Sequence, residues 1–263
     1  MSNNIHSTAV IEDGAKIGDG VTIGPFCYIG AQVSLGDNSE LKSHVAIAGD
    51  TTIGSRARIF PFASIGHEPQ DLKFQGEHTT LVIGDDCMIR EGVTMNPGTA
   101  GDAGNTTIGK KCTFLANSHV AHDCQIGNGV IFSNGVLLAG HCKIGDHVII
   151  GGAAAVQQFS RIGNNAFVGG MAGLENDLIP FGMALGNRAY LGGLNIVGMR
   201  RAGIEKEAIH RVRAFHKHVF SGDSPIKDAI ETIEPDLAAE PIPAMIIKFI
   251  KDGENRSLCT PKA

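Results

Sequence analysis

Three histidines, His119, His122 and His141, fall between Phe114 and Lys143. His122 is followed at once by Asp123, and His141 is preceded by Gly140. A neutral imidazole oriented by a carboxylate is the make-up of a general base, and a nearby backbone N–H can receive a developing oxyanion. The same imidazoles suit zinc, for which neutral histidine is a common ligand. They could also be plain corner residues of a repetitive scaffold with no chemistry. Which reading holds depends on what the surrounding chain brings together.

That chain is periodic. An apolar residue recurs every six positions at Ile5, Ile11, Ile17, Ile23, Ile29, Leu35, Leu41, Ile47, Ile53, Ile59 and Ile65, and again at Ile83, Ile89 and Met95. The phase then shifts by one residue and runs from Ile108 through Phe114, Val120, Ile126, Phe132, Leu138, Ile144, Ile150, Val156 and Ile162 to Leu174. Hexads of this kind predict a parallel β-helix, each hexad making a short strand and a corner with its opening residue inside. An amphipathic helix would need apolar residues at i, i+3, i+4 and i+7, and no such pattern precedes about Leu194. With three hexads to a coil, residues 18 apart stack at about one strand spacing, ~4.8 Å. His122 then stacks on Gly140 and Gly140 on Gln158, while Asp123 stacks on His141.

Composition agrees with a solenoid plus a cap. The chain has 263 residues, 43% of them apolar, with 35 glycines and no tryptophan. Five cysteines, Cys27, Cys87, Cys112, Cys124 and Cys142, occupy the fifth position of their hexads, where Val and Ala also occur, and so read as small inward fillers. A formal charge of -5 argues against a general nucleic-acid binder. The first residues lack the basic start and apolar core of a signal peptide, and no run of 18 apolar residues occurs, so a cytoplasmic protein without an integral membrane segment is expected.

Two stretches break the repeat. Residues 66–82 hold a polar excursion with Asp71 and Lys73, and residues 96–107 are Gly-rich and polar; both read as projecting loops bordering a cleft. Residues 1–193 form the expected β-helical domain and 194–263 a helical one. Within the latter, Glu205 to Phe220 puts Ala208, Ile209, Val212, Phe215 and Val219 on one stripe. Ser224-Pro225 looks like an N-cap and first helical residue, and a further helix is expected from Pro243 to Lys251. Such helices can cap the open end of a solenoid.

Several stretches together resemble the bacterial UDP-N-acetylglucosamine O-acyltransferases: IGPFCYIG from Ile23, PQDLKF from Pro69, IREGVTMNPGT from Ile89, NSHVAHDCQIGN from Asn117, LAGHCKIGD from Leu138, QQF at 157–159, and GLNIVGMRRAG from Gly193. The resemblance spans nearly the whole chain. It implies a left-handed parallel β-helix of hexapeptide repeats with a C-terminal α-helical domain, assembled as a homotrimer with the cleft between neighbouring solenoids. It implies transfer of a 3-hydroxyacyl group from acyl carrier protein to the 3-hydroxyl of UDP-N-acetylglucosamine, the first step of lipid A synthesis. No metal or other cofactor is implied, because the carrier supplies the phosphopantetheine thioester as substrate. A likeness to the γ-class carbonic anhydrases, also hexapeptide trimers, keeps zinc as the competing expectation.

By the same resemblance His122 is the base, Asp123 orients it and the Gly140 N–H receives the oxyanion. Asp71, Lys73, His119, His141 and Gln158 contact substrate, Asn195 and Arg201 hold the nucleotide, and Gly170 with Met171 sets the length of the acyl groove. The acidic carrier is expected to dock on local cations such as Arg200, Arg201, Arg211, Arg213 and Lys217. Three positions depart from the family pattern: Gln157 where histidine is common, Val197 for an acidic residue, and Ala202 for an arginine that Arg200 can replace.

Overall fold

Each hexad becomes a two-residue strand whose second residue is the apolar one, as in Lys16–Ile17, Thr22–Ile23 and Tyr28–Ile29. The computed structural model describes residues 2–102, 104–220, 222, 224–253 and 256–262. Among these, the strands stack into three faces of 11, 9 and 8 members, called here the first, second and third face. Outside the coils that carry loops the solenoid strands pair in parallel at the 18-residue offset, with Ile5 on Ile23, Ile29 on Ile47 and Ile17 on Leu35, and the inserted loops widen it, as in Ile59 on Ile89 and Ile89 on Phe114. The coil is left-handed. Its interior is a column of Ile, Leu, Val and Phe, with Ile23, Ile47, Ile59, Phe114 and Phe132 all 1% exposed or less. The five hexad cysteines are free and buried inside it; Cys259, near the chain's C-terminal end, is also free and buried.

Both loops spring from the same edge, between the second and third faces. The first follows strand Ser64–Ile65 and ends at strand Thr80–Ile83; the second follows Thr94–Met95 and ends at Asn105–Ile108. They are therefore 66–79 and 96–104, shorter than the expected 66–82 and 96–107. The reason is that Leu81 and Thr106 add a second inward position to their strands and are fully buried. Ala103 of the second loop lies outside the described residues.

After Leu174 the hexads give way to an antiparallel pair, Gly182–Leu185 with Tyr190–Leu194. Five helices follow among the described residues: α1 Ile196–Arg201, α2 Lys206–Phe220, α3 Ile226–Glu231, α4 Pro235–Ala238 and α5 Pro241–Lys251. The short α1 and α4 were not expected from periodicity, and α5 begins two residues earlier than Pro243 because Pro241 already fits the first turn. Helix α3 starts at Ile226, so Pro225 is its cap, with no side-chain cap bond, and Ser224 stands outside it. Phe215, Val219, Phe220, Ile230, Ile246 and Ile250 join one continuous core with Leu174, Leu178 and Ile179, so the helices seal the last coil. The chain end is fastened there too. Fully buried Asp177 receives Arg161 Nε at 2.6 Å and Arg256 Nε at 2.7 Å, and Leu258 bridges to it. No helix among the described residues is long and apolar enough to cross a membrane.

Candidate active site

The edge that carries both loops also carries the histidines. Strand His119–Val120 of the second face leads into the corner Ala121-His122-Asp123, and one coil on, Leu137–Leu138 leads into Ala139-Gly140-His141. The third corner in this column is Gln157-Gln158-Phe159, after strand Ala155–Val156. Asp123, His141 and Phe159 take left-handed backbone angles, φ 58°, 61° and 65°, as the third residue does at many other corners, among them Asn38, Arg56 and Phe62. That conformation costs an L-residue roughly 1–2 kcal/mol, and the hydrogen-bonded coils on either side hold it in place.

His122 Nδ1 lies 2.8 Å from Asp123 Oδ2. An ionised carboxylate only accepts, so Nδ1 carries the proton and Nε2 is left as the basic nitrogen. Asp123, with a side chain only 1% exposed, is held by the second loop: Thr99 donates its N–H to Oδ1 at 2.9 Å and its hydroxyl to Oδ2 at 2.7 Å. A buried carboxylate with three donors is a fixed orienting group rather than a mobile charge. The His122 ring lies over Gly140, where an added Cβ would sit 2.7 Å from Cε1 and 2.8 Å from Nε2. Only glycine fits beneath that ring. The Gly140 N–H has no hydrogen-bond partner among the described residues, so base and amide donor stand side by side.

His141 packs edge-on against His122, with ring centroids 4.9 Å apart at 89°, and its other side stacks on Phe159 at 4.4 Å and 12°. Its Nδ1 is 2.8 Å from Asp102 Oδ2, again in the second loop. His119 pairs through Nδ1 with Thr94 Oγ1 at 2.7 Å. Burial, and then the nearby His122, hold its pKa below the ordinary value, so it is a neutral neighbour of the base. The half-exposed Leu137 lies beside His119 on the second face. Gln158 is exposed and makes no hydrogen bond within the described chain.

His122, Asp123 and His141 place one ligand atom each within 4.8 Å. Both Nδ1 atoms are bonded to carboxylates and Asp123 holds two bonds from Thr99, which leaves each imidazole its Nε2 as the open donor. His119 contributes nothing to the cluster.

Other expected residues lie elsewhere on the single chain. Asp71 and Lys73 sit at the tip of the first loop, where Asp71 Oδ1 accepts the Lys73 N–H at 3.0 Å and Leu72 between them is fully exposed. That loop reaches the second through Asn96 Nδ2, which donates to the carbonyls of His67 and Glu68 at 3.0 Å. Asn195 is the N-cap of α1: its Oδ1 accepts Gly198 N–H and its Nδ2 donates to the Asn165 carbonyl, both at 2.9 Å. Its amide thus joins the helical region to a different edge. Arg201 and Val197 are exposed on α1, and Ala202 is its C-cap. Gly170 and the exposed Met171 form a corner between the first and second faces, across the second face from the histidines. Thr99, Asp102 and Phe159 were not singled out from sequence. The Thr and Asp of a polar loop carry no period to flag them, and Phe159 stood inside the quoted QQF with no role assigned.

Residues 177–259 match the family described as UDP-N-acetylglucosamine O-acyltransferase, domain 2, and residues 14–49 and 105–140 match bacterial transferase hexapeptide repeats. The chain is 50% identical over 260 residues to the acyl-[acyl-carrier-protein]–UDP-N-acetylglucosamine O-acyltransferase of Rhizobium johnstonii, covering 99% of this chain and 96% of that one. It is 46% identical to the enzyme of the same name from Bartonella bacilliformis, over 98% of this chain and 94% of that one. Among solved structures, the UDP-N-acetylglucosamine O-acyltransferase of Moraxella catarrhalis superposes with a TM-score of 0.93 at 41% identity, over 97% of this chain and 99% of that one. The UDP-N-acetylglucosamine acyltransferase of Campylobacter jejuni gives 0.91 at 34% identity, over 99% and 100%.

Proposed function

The chain belongs to the UDP-N-acetylglucosamine O-acyltransferases, and we propose that His122, Asp123 and Gly140 carry out its acyl transfer. The enzyme moves a 3-hydroxyacyl group from acyl carrier protein to the 3-hydroxyl of UDP-N-acetylglucosamine, the first step of lipid A synthesis. His122 Nε2 takes the proton of the sugar 3-hydroxyl as its oxygen attacks the thioester carbonyl. The oxyanion is received by the Gly140 N–H. The tetrahedral intermediate then collapses, the C–S bond breaks, and the proton held by His122 passes to the departing phosphopantetheine thiolate. What supports this reading most directly is the imidazole fixed by a buried carboxylate against Gly140, whose backbone N–H is unbonded among the described residues.

The acyl chain has a path on the second face, whose outward positions from the histidine edge include exposed Leu137 and Ala155, then Gly173. At its far edge Gly170 leaves room, since an added Cβ meets nothing nearer than Gly152 O at 3.4 Å. We read Gly170 and Met171 as the length ruler, favouring a long, myristoyl-like donor. A second copy of the chain is expected to supply the rest of the cleft in a cytoplasmic homotrimer, with the exposed tip Asp71-Leu72-Lys73 and Gln158 meeting substrate there. Exposed Arg200, Arg201, Arg213 and Lys217 remain available to the acidic carrier, whereas Arg211 is already paired with Glu240 at 2.5 Å.

The test is an acyl-transfer assay on UDP-N-acetylglucosamine with a panel of 3-hydroxyacyl carrier proteins, run beside metal analysis. Acylation at the 3-hydroxyl without stoichiometric zinc is expected. One zinc per subunit with activity lost on chelation would favour the carbonic-anhydrase-like alternative instead.

A further inference from the structure

Asp102 makes a carboxylate–imidazole pair of its own with His141, at the same 2.8 Å that separates Asp123 from His122. We infer that Asp102 is a positioning residue that fixes His141 as a hydrogen-bond acceptor for an O–H or N–H group of the sugar, apart from the proton transfer at His122. The inference rests on the reading of His141 as a sugar contact given above.

Three contacts restrain the His141 ring. Asp102 holds Nδ1 in the ring plane, Phe159 covers one face at 4.4 Å, and the His122 ring abuts it at 4.9 Å. Because the carboxylate can only accept, Nδ1 bears the hydrogen, and Nε2 of the neutral ring offers a lone pair. An imidazole in that tautomer accepts from a hydroxyl or acetamido N–H. In the opposite tautomer it would instead donate to a carbonyl or phosphate oxygen.

The two pairs differ in setting. Asp123 is 1% exposed and bonded twice by Thr99, whereas the Asp102 side chain is 50% exposed. Water screens the Asp102 charge, so its effect on His141 is on ring orientation and tautomer more than on basicity. Thr99 and Asp102 belong to the same loop, which is tied to the first loop by Asn96 and by Ala100 N–H to Glu77 Oε1 at 3.1 Å. One loop therefore sets both imidazoles, one for chemistry and one for binding.

The full-length enzyme labelled with 15N-histidine tests this by two independent measurements. Ring nitrogen shifts should show His141 protonated at Nδ1, moving toward the Nε2–H form in Asp102→Ala and staying in Asp102→Asn, whose amide oxygen still accepts. In kinetics, Asp102→Ala should raise KM for UDP-N-acetylglucosamine about tenfold, the loss of roughly one good hydrogen bond. Its kcat and its KM for the acyl carrier should stay within about twofold, with Asp102→Asn recovering most of the difference. An unchanged tautomer, an unchanged sugar-nucleotide KM, or a loss confined to kcat would each overturn the proposal. Should the unmodified enzyme fail to acylate this sugar nucleotide, the functional reading falls first, and the nitrogen shifts still decide whether Asp102 governs His141.

Discussion

Two edges of the same prism use one backbone for opposite ends. Between the third and first faces, the second corner residue is repeatedly Asp or Asn, and its side chain accepts the amide of the coil before it. Asp37 takes Asp19 N–H at 2.9 Å, Asp85 takes Ser55 N–H at 3.0 Å, Asn128 takes Lys110 N–H at 2.9 Å and Asp146 takes Asn128 N–H at 2.6 Å. On the histidine edge the same column reads His122, Gly140 and Gln158, and the Gly140 amide is not taken up in this way. The left-handed corner is shared, with φ 59° at Asn165 on one edge and 61° at His141 on the other. What separates scaffold from site is therefore one side-chain type per coil. A polar ladder that stabilises one edge is withheld on the other, and the freed backbone donor becomes available to substrate.

The largest effect expected from breaking this contrast is at the base. His122→Ala should lower turnover by about 10²–10⁴-fold, the range for a positioned general base, with melting temperature and oligomeric state unchanged. Activity above about a tenth of the original would remove His122 from that role.

The same glycine substitution on each edge should then give opposite results. Gly140→Ala meets the His122 ring first, at 2.7 Å, and is expected to displace the base and cut kcat strongly at little cost in stability. Gly127→Ala meets Asp146 Oδ1 at 2.6 Å and then backbone, Gly145 C and Asp146 N both at 2.8 Å, and should cost about 1–3 kcal/mol of stability while sparing kcat per folded enzyme. Denaturant melts alongside single-turnover rates separate the two; equal stability losses would mean that the edges do not differ as described.

A smaller change is expected at the ruler. Gly170→Met should move donor preference several carbons shorter, each lost methylene contact being worth roughly 0.8 kcal/mol, with chemistry at His122 preserved. Competition between long and short acyl carrier proteins reads this out, and an unchanged profile would acquit Gly170. On the ladder edge, Asp146→Ala removes the acceptor of Asn128 and should cost about 1 kcal/mol of stability with no effect on turnover.

The mildest prediction concerns acid. Burial lowers the pKa of His216, whose Nε2 is enclosed without a partner, and burial with His122 lowers that of His119. Their unfolded forms take up protons first, near the reference value of about 6.5, so the unfolded state binds more protons as pH falls. Stability contributed by these groups is therefore complete above that value and is lost as pH falls through the depressed folded values. His216→Leu should flatten the fall in unfolding midpoint between neutral pH and about pH 5; a wild-type slope in that variant would assign the acid sensitivity to other groups.

How much could be read beforehand followed the period. The stacking of His122 on Gly140 and of Asp123 on His141 came from 18-residue arithmetic, and the short strands bear out that register. The loops read as longer in the sequence because the opener positions before Ile83 and Ile108 are Glu77 and Asp102, although Leu81 and Thr106, at the fifth position, point inward. Thr99 and Asp102 could not be placed, since a loop returning across its own edge has no repeat to count along. Asn195 matches the nucleotide segment by resemblance, and its capping of α1 had no signal, because that helix is too short and too Gly-interrupted to show a 3.6-residue pattern. The amphipathic stripe of α2 was legible because Ile209, Val212, Phe215 and Val219 recur at helical spacing, and all four are buried.

The two ends of the prism are finished differently. At the last coil, helices and the Asp177 clamp close the core, while at the first coil Ile5 is 43% and Val10 56% exposed. In a stack where each coil touches only its neighbours, the free energy of opening is nearly a one-dimensional sum. The molecule therefore has a built-in polarity of local stability: amide exchange should be fastest in the first coil and slow progressively along the axis. The histidine corners lie deep in that gradient, many coils from the fraying end and a few from the seal, so fluctuations at the open end die out before reaching the catalytic geometry.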